Sequence, residues 1–125
     1  MSFSYPKKEK LKHQKLVEKL FSEGKSVSVF PLRMVYLKTD FKDDAKFKTG
    51  VSTSKRNFKN AVDRNRIKRL LREAYRLNKA AHFNNISGSY ALMILYLSKD
   101  GTDFESIDLK MKQLLDAFSK KVSQN

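Results

Sequence analysis

The sequence predicts an α+β fold in which helices pack against a small mixed β-sheet. Three observations point to this class. Three stretches repeat their apolar residues at helical spacing, and three shorter stretches are rich in β-branched and aromatic residues. The chain has 125 residues, of which 40% are hydrophobic, with nine Phe and five Tyr. This size and composition indicate a single domain over 1–125, with its elements in the order α-β-β-α-β-α.

The chain begins with a basic segment and a helix. Residues 1–10 are polar and basic, which is typical of a mobile arm. Apolar residues at helical spacing then predict a helix over 13–23, and Gly24 is expected to cap its C-terminus.

Two strands are expected next. The first covers 27–38 and is interrupted by Pro31, which indicates a bulge or a position at the edge of the sheet. The polar residues 40–45 predict a hairpin loop. Residues 46–54 alternate apolar and polar side chains, which predicts a second strand that is half-buried.

The second half of the chain predicts a long basic helix, a buried strand and a last helix. Asn60 can cap the basic helix, and Asp63 lies in its first turn, where a negative charge is favourable. The apolar run over 91–97 predicts a central strand that is buried on both faces. Thr102 and Glu105 are expected to form a capping box before the last helix. The side of this helix that faces the core is expected to carry Ile107, Met111, Leu114, Leu115, Phe118 and Val122.

Composition and charge limit the classes of molecule that this protein is expected to bind. The net charge is +14, and the absence of Cys excludes disulfides and thiolate metal sites, which fits a reducing cytoplasm. The apolar run over 91–97 has seven residues, well short of the roughly 20 that a membrane helix needs. The N-terminus lacks the apolar core of a signal peptide. We therefore expect a cytoplasmic protein that binds nucleic acid, in preference to an anionic membrane.

The basic helix carries most of this charge. Residues 55–79 contain ten cations and two acids, which gives +8 of the total +14. At about 100° per residue, the apolar side is expected to comprise Ile67, Leu70, Leu71, Ala74, Tyr75 and Leu77. The opposite arc carries Asn65, Lys68, Arg69, Arg72, Arg76 and Lys79, with Arg64 and Arg66 on its two shoulders. A solvated helix would normally interleave charges of both signs, so this arc indicates contact with phosphates.

A group of aromatic residues is a second candidate site. Phe21 ends the first helix, and Phe30 and Tyr36 lie in the first strand region. Each could belong to the core. Alternatively, Tyr36 could lie on an open strand face and stack on unpaired bases, with Lys55 and Arg56 beside it to neutralise the backbone. The residues alone leave both interpretations open.

No catalytic site formed by the protein itself is indicated. The two His residues, His13 and His82, do not pair in the sequence with an activated nucleophile. Asp43 and Asp44 lie in the predicted loop 40–45, where we expect them to be solvated. We therefore expect neither a catalytic residue nor a metal ligand in this chain.

Residues 54–75 have the sequence SKRNFKNAVDRNRIKRLLREAY. This run closely resembles the RNR motif of the bacterial ribonuclease P protein component, and the resemblance extends over nearly the whole chain. It implies a subunit that binds a large catalytic RNA and assists removal of the 5′ leader from precursor tRNA. It also implies an endoribonuclease holoenzyme in which the RNA carries the chemistry with Mg²⁺, without a membrane partner or a small-molecule substrate.

The same resemblance implies a fold and two sites. The fold would be similar to a ribosomal-protein domain with a left-handed β-α-β crossover, although such crossovers are generally right-handed. The residues in contact with the RNA subunit would be Arg64, Asn65, Arg66, Lys68, Arg69 and Arg72, with Arg76 on the same arc. The cleft that holds the leader would contain Val17, Phe21, Tyr36, Lys55 and Arg56, with Val17 where many relatives have Phe.

Two alternatives belong to other classes. A non-catalytic ribosomal or RNA-assembly protein would share the charge, but it would not distinguish a 5′ leader. A protein-only metal nuclease would need clustered acidic ligands, which the basic helix lacks.

Overall fold

The computed structural model describes residues 14–41, 45–84 and 86–123. The predicted arm and the start of the predicted helix at His13 lie outside these ranges. The helices are α1 (Gln14–Glu23), α2 (Ala61–His82) and α3 (Phe104–Ser123). The strands are β1 (Lys25–Val29), β2 (Leu32–Lys38), β3 (Phe47–Thr53) and β4 (Tyr90–Tyr96). The α+β class is confirmed, and the order α-β-β-β-α-β-α has one strand more than predicted.

The additional strand arises at Pro31. The segment predicted as one interrupted strand is an antiparallel hairpin of β1 and β2, in which Val29 pairs with Leu32. Phe30 and Pro31 form the turn, and the peptide bond between them is cis. Proline lacks a backbone N–H and has a fixed φ, so it suits a turn better than a ladder. The chain therefore reverses at Pro31, and the predicted bulge is wrong.

The four strands form one mixed sheet in the order β1-β2-β4-β3. β4 pairs antiparallel with β2 and parallel with β3, so it lies inside the sheet, as its apolar run predicted. β3, α2 and β4 make the parallel crossover, whose left-handed sense stays a prediction. Residues 42–44 of the predicted loop 40–45, which include Asp43 and Asp44, lie outside the described ranges. β2 and β3 follow each other in the chain, but β4 lies between them in the sheet. The predicted hairpin is therefore wrong, because a strand from later in the chain separates its two arms.

The two faces of the sheet are covered by different helices. Successive side chains of a strand point to opposite faces. Even-numbered residues of β2 and β4 and odd-numbered residues of β3 face α2 and α3 and form the main core. On the other face, Leu20 of α1 packs against Val35, Ala91 and Met93. Full burial of a side chain such as Leu20 stabilises the fold by about 2 kcal/mol.

Gly24 joins α1 to β1 and caps the C-terminus of α1, as predicted, without a left-handed backbone. Its N–H donates to the carbonyl of Leu20 at 2.9 Å, which closes the helix. A Cβ at Gly24 would collide with the Leu20 carbonyl and would lie 2.9 Å from the carbonyl oxygen of Tyr36. Among the glycines in the described ranges, a positive φ occurs at Gly88 only. Gly24 is therefore required by the close approach of α1 to β2 and is not a left-handed cap.

α3 begins with a cap one residue later than predicted. The Asp103 Oδ1 accepts the N–H of Ser106 at 2.9 Å, whereas the Thr102 hydroxyl points to the Asp103 carbonyl oxygen at 3.5 Å. The predicted box of Thr102 and Glu105 is therefore wrong, because Asp103 is the residue placed to cap the first turn. The hydrogen bonds from Ser106 lower the pKa of Asp103, and Arg66 of α2 contributes to the same shift.

The core-facing side of α3 agrees with the prediction. Its fully buried residues are Ile107, Met111, Leu114, Leu115 and Phe118. Val122 is half-buried and packs against the same core. α3 therefore covers the sheet along most of its length, and its last turn reaches the end of β2.

Candidate nucleic-acid interface

Asn60 sets the start and the direction of the basic helix α2. Its backbone is extended, with φ −82° and ψ 127°. Its side-chain oxygen accepts the N–H of Val62 at 3.0 Å, which satisfies one of the donors left free at a helix start. Asp63 lies in the first turn. The predicted cap is confirmed.

The apolar side of α2 anchors the helix to the core. Four predicted members are at most 1% exposed: Ile67, Leu71, Ala74 and Tyr75. Leu70 is half-buried, but Leu77 is 37% exposed, so its assignment to the core is wrong. Asn78 is buried instead, and its Nδ2 donates to the carbonyl of Ala74 and to the Asp108 carboxylate, both at 2.7 Å. This arrangement fixes which side of α2 faces outward.

The outward side presents a cationic ridge, which comprises Asn65, Lys68, Arg69 and Arg72. Lys68 is half-buried and the other three are exposed. Within the part of the chain that the structure describes, no acid lies within ion-pair distance of these three cations. Their charge is therefore available to an anion outside the protein.

Arg76 lies on the same arc but is paired with an acid. Its Nη2 lies 2.6 Å from the Glu73 Oε1, and its Nε donates to Oε2 at 3.3 Å. The hydrogen bond with Glu73 raises the pKa of Arg76. The Glu73 carboxylate therefore neutralises the charge of the Arg76 guanidinium group. Arg76 is less available to phosphate than Arg69 or Arg72.

The two shoulder arginines also have neighbours within the protein. Arg64 donates from Nη1 to the carbonyls of Phe58 at 2.8 Å and Lys59 at 2.9 Å. It therefore holds the segment before α2 against the first turn of the helix. Arg66 is exposed and lies near Asp103, whose pKa it helps to lower. Both arginines remain at the margin of the ridge, as the helical spacing predicted.

Lys55 and Arg56 lie in the exposed turn after β3. The N–H of Arg56 donates to the Ser54 hydroxyl at 3.0 Å. Asn57 donates from Nδ2 to the carbonyl of Leu97 at 3.3 Å, which ties the turn to the end of β4. The two cations are thus placed between the sheet and the start of α2.

The predicted aromatic cleft is divided between the two faces of the sheet. Phe21 is 50% exposed, and Val17 is half-buried in the α1 cluster. Tyr36 is 5% exposed and faces α3, where its ring meets that of Phe118 edge-on at 5.1 Å between centroids. The expectation that Tyr36 lies beside Val17 and Phe21 is wrong, because strand alternation brings Val35 to the α1 side.

The α1 side of the sheet also contains polar residues that are not among the predicted site residues. Phe47 and Thr49 face α2, so Lys48 and Ser52 face the opposite side, next to β4. Arg33 of β2 lies on this side as well, and its Nη2 donates to the Ser26 hydroxyl at 3.4 Å. We call this surface the α1-side cleft; its members are Val17, Phe21, Arg33, Lys48 and Ser52. The alternation of residues within 46–54 predicts that the polar and the apolar side chains of this strand lie on opposite faces. It does not predict which of the two faces α1 covers.

The described ranges contain neither a cluster of metal ligands nor a helix that could span a membrane. Across residues 14–41, 45–84 and 86–123, no three His, Asp or Glu side chains are grouped so that they could hold a metal ion. No helix in these ranges is both long and apolar enough to cross a membrane.

Comparison with known proteins assigns the family. The family model for Ribonuclease P matches residues 5–119. The ribonuclease P protein component of Porphyromonas gingivalis is 37% identical over 121 residues, which cover 91% of this chain and 85% of that protein. The component from Dictyoglomus thermophilum is 35% identical over 114 residues, with 90% and 87% covered. The solved RNase P protein of Staphylococcus aureus has the same fold, with a TM-score of 0.70 at 24% identity over 91% of this chain and 96% of that one. The chain therefore belongs to the bacterial ribonuclease P protein family and is a protein subunit of that endoribonuclease.

Proposed function

We propose that this subunit works with ribonuclease P RNA through the cationic ridge and holds the 5′ leader of precursor tRNA in the α1-side cleft. The proposal rests on the exposure of the ridge cations and on their lack of an acid partner among the described residues. Arg69 and Arg72 are exposed, and neither has an acid partner among the described residues, while the opposite side of α2 is fixed in the core.

The charge pattern of the ridge favours a phosphate partner. Lys68 and Arg72 are four residues apart, and Arg69 and Arg72 are three apart, so like charges face each other along the helix. Such pairs destabilise a helix by roughly 0.2–0.5 kcal/mol each. Phosphates would remove this repulsion, and the planar guanidinium group can donate two hydrogen bonds to phosphate oxygens.

The α1-side cleft offers the contacts that an unpaired strand needs. Phe21 provides an exposed ring for base stacking, and Val17 adds apolar contact beside it. Arg33 lies on the same face, and Lys55 and Arg56 lie at the end of β3, where they can neutralise the backbone. In this proposal Tyr36 makes no leader contact, since it faces the other helices.

The chemistry in this proposal belongs to the RNA. The RNA subunit binds most of the Mg²⁺ that the cleavage requires, and the protein positions the substrate. Because mature tRNA lacks the leader, the cleft adds binding energy to the precursor alone. The complex would form in the cytoplasm, where precursor tRNA is made.

Reconstitution tests the proposal. The protein is mixed with its cognate RNA and precursor tRNA at a low Mg²⁺ concentration, and the 5′ end of the product is mapped. We expect cleavage at the mature 5′ end that is at least tenfold faster than with RNA alone, and none with protein alone. A protein that binds both RNAs without stimulating cleavage would instead indicate an RNA-assembly module.

A further inference from the structure

A concave surface lies at the end of the sheet away from the start of α2. It has a volume of about 490 Å³ and opens where β1 begins, where β2 ends and where the last turn of α3 passes over them. Its polar lining consists of Glu23, Lys25, Tyr36, Lys38, Tyr90 and Lys121. We call it the tyrosine–lysine groove. Its volume lies in the range of sites that hold small organic ligands.

The groove collects positive charge from three elements. Lys25 begins β1, Lys38 ends β2, and Lys121 lies in the last turn of α3. Glu23 is the one acid in the lining, and none of the three Lys residues forms an ion pair with a described residue. A site with this charge favours an anion over a neutral or cationic ligand.

The two tyrosines give the groove hydrogen-bond donors. Their rings meet edge-on at 6.4 Å between centroids, and they are 5% and 6% exposed. Tyr96 donates to the carbonyl of Asp100 at 2.7 Å, and Tyr75 hydrogen-bonds with Thr49. By contrast, neither Tyr36 nor Tyr90 has a hydroxyl partner in the described ranges. In those ranges every fully buried polar side-chain atom has a hydrogen-bond partner. The two hydroxyls, which have none, are therefore not fully buried, and they border the groove.

The groove is far from the end of the sheet where α2 begins. Lys38 ends β2, and Tyr36 lies two residues before it. Lys38 is six residues beyond Leu32, which is at the end of the sheet where α2 begins. At about 3.3 Å per residue, that separation is roughly 20 Å. A ligand in the groove would therefore not contact the start of α2.

We propose that the tyrosine–lysine groove binds a nucleoside phosphate. The phosphate oxygens bind the ammonium groups of Lys25, Lys38 and Lys121. They also accept hydrogen bonds from the hydroxyls of Tyr36 and Tyr90. Val122 and the rings of the two tyrosines, which also line the groove, pack against the sugar or base. A bare phosphate would leave most of the volume and this apolar wall unused. The nucleotide is either a free nucleotide or one residue of an RNA strand.

Binding to the full-length protein tests the site. The backbone amide signals of isotopically labelled protein are followed by NMR while 5′-AMP, inorganic phosphate or adenosine is added. We expect 5′-AMP to shift the amides around Tyr36, Tyr90 and Lys121, with phosphate at least tenfold weaker and adenosine without effect. Shifts confined to α2, or equal binding of phosphate and 5′-AMP, would overturn the proposal.

Substitutions locate the contacts. The double change Lys38→Ala with Lys121→Ala should weaken 5′-AMP binding at least tenfold, and Tyr36→Phe should weaken it about threefold while keeping the buried ring. Lys120→Ala is the matched control, because its Nζ is 3.0 Å from the Asp116 carboxylate and it does not line the groove. Equal losses in the control and the double variant, with both proteins folded by circular dichroism, would contradict the site.

The assembled complex separates the two sources of the nucleotide. If an RNA strand fills the groove, 5′-AMP binding is abolished when ribonuclease P RNA or precursor tRNA is added, and the double variant binds that RNA more weakly. If a free nucleotide is the ligand, 5′-AMP binds the complex unchanged. Both results support the site, and neither depends on whether reconstitution stimulates cleavage.

Discussion

The cations of α2 differ in what they contact inside the protein, although their sequence context is similar. Arg64 donates to two carbonyls of the preceding segment, and Arg76 is held by Glu73. Arg69 and Arg72 have no such partner in the described ranges. The same side-chain type therefore serves the fold at one position and is open to a ligand at another.

This difference predicts two kinds of arginine variant. Arg69→Ala and Arg72→Ala should not lower the urea midpoint, because each removes a repulsion between like charges. They should lower the log–log salt slope of RNA binding by about 0.7–0.9 for each phosphate that the variant no longer neutralises. Arg64→Ala should in addition destabilise the fold by about 1 kcal/mol, because it removes hydrogen bonds to the backbone. The measurements are urea unfolding and affinity for ribonuclease P RNA at several salt concentrations. An unchanged salt slope in the Arg69→Ala and Arg72→Ala variants would show that neither side chain binds a phosphate.

Tyr36 predicts a pH effect at the alkaline end. Burial, followed by the proximity of Tyr90, raises the pKa of Tyr36. The neutral phenol is thus favoured in the folded state, and the unfolded chain ionises first, at about pH 10. Stability from this group is present below that pH and is lost as the pH rises through the folded pKa.

Replacement of the hydroxyl tests this linkage. Between about pH 8 and pH 11, the free energy of unfolding of the natural protein should fall more steeply than that of Tyr36→Phe. The measurement is guanidinium unfolding at several pH values. The two proteins differ only in this hydroxyl, so the comparison isolates Tyr36. Parallel curves would show that its pKa is the same in the folded and unfolded chains.

At the scale of the element, helix ends are set by a few local contacts. Asn60 starts α2 with a side-chain hydrogen bond, and Asp103 does the same for α3. Gly24 lies where α1 comes close to β2, and no side chain fits at this position. These contacts fix the direction in which each helix leaves or meets the sheet.

The cap of α2 should be measurable in stability. Asn60→Ala removes the acceptor for the Val62 N–H and should destabilise the fold by about 1 kcal/mol in urea unfolding. Asn60→Ser, which can cap in the same way, should retain most of that stability. If both variants unfold at the same urea concentration, the cap does not stabilise the helix.

The junction of α1 and β2 should tolerate no side chain. Gly24→Ala places a Cβ against backbone carbonyls that cannot move alone, so we expect a loss of roughly 1–3 kcal/mol. Gly101→Ala is the matched control, since nothing lies within 4 Å of the added Cβ. Thermal unfolding distinguishes the two, and similar melting temperatures for both would contradict the close approach.

At the scale of the whole molecule, one sheet separates three surfaces. The ridge lies on the outer side of α2, the α1-side cleft lies on the opposite face of the sheet, and the tyrosine–lysine groove lies at the far end of the strands. A rigid sheet holds these surfaces at fixed positions. In the proposed function, the ridge and the α1-side cleft would therefore contact two RNA segments at once.

The α1-side cleft predicts discrimination between precursor and product. Phe21→Ala in the reconstituted complex should weaken precursor tRNA binding by about 1–3 kcal/mol, as expected when a stacked base loses its platform. Binding of mature tRNA should be unchanged. Phe30→Ala, which truncates a 68% exposed aromatic ring in the β1–β2 turn, is the control and should change neither. Equal losses for both RNAs with Phe21→Ala would remove the leader from this cleft.

The amino-acid sequence by itself determined the features that depend on local spacing. The three helices, the burial of β4 on both faces, the Asn60 cap and the cationic arc of α2 all follow from local residue patterns and from the residues at helix ends. The long motif over 54–75 also identified the family without any tertiary information. Local rules suffice here because each feature involves neighbours within a few residues.

The tertiary structure decided the features that depend on which segments meet. The sequence could not show that β4 enters between β2 and β3, nor that Tyr36 faces α3 while Val35 faces α1. A shift of one residue along a strand exchanges its two faces, and no local pattern of an apolar strand distinguishes them. The meeting of Lys25, Lys38 and Lys121 depends in the same way on packing between distant parts of the chain.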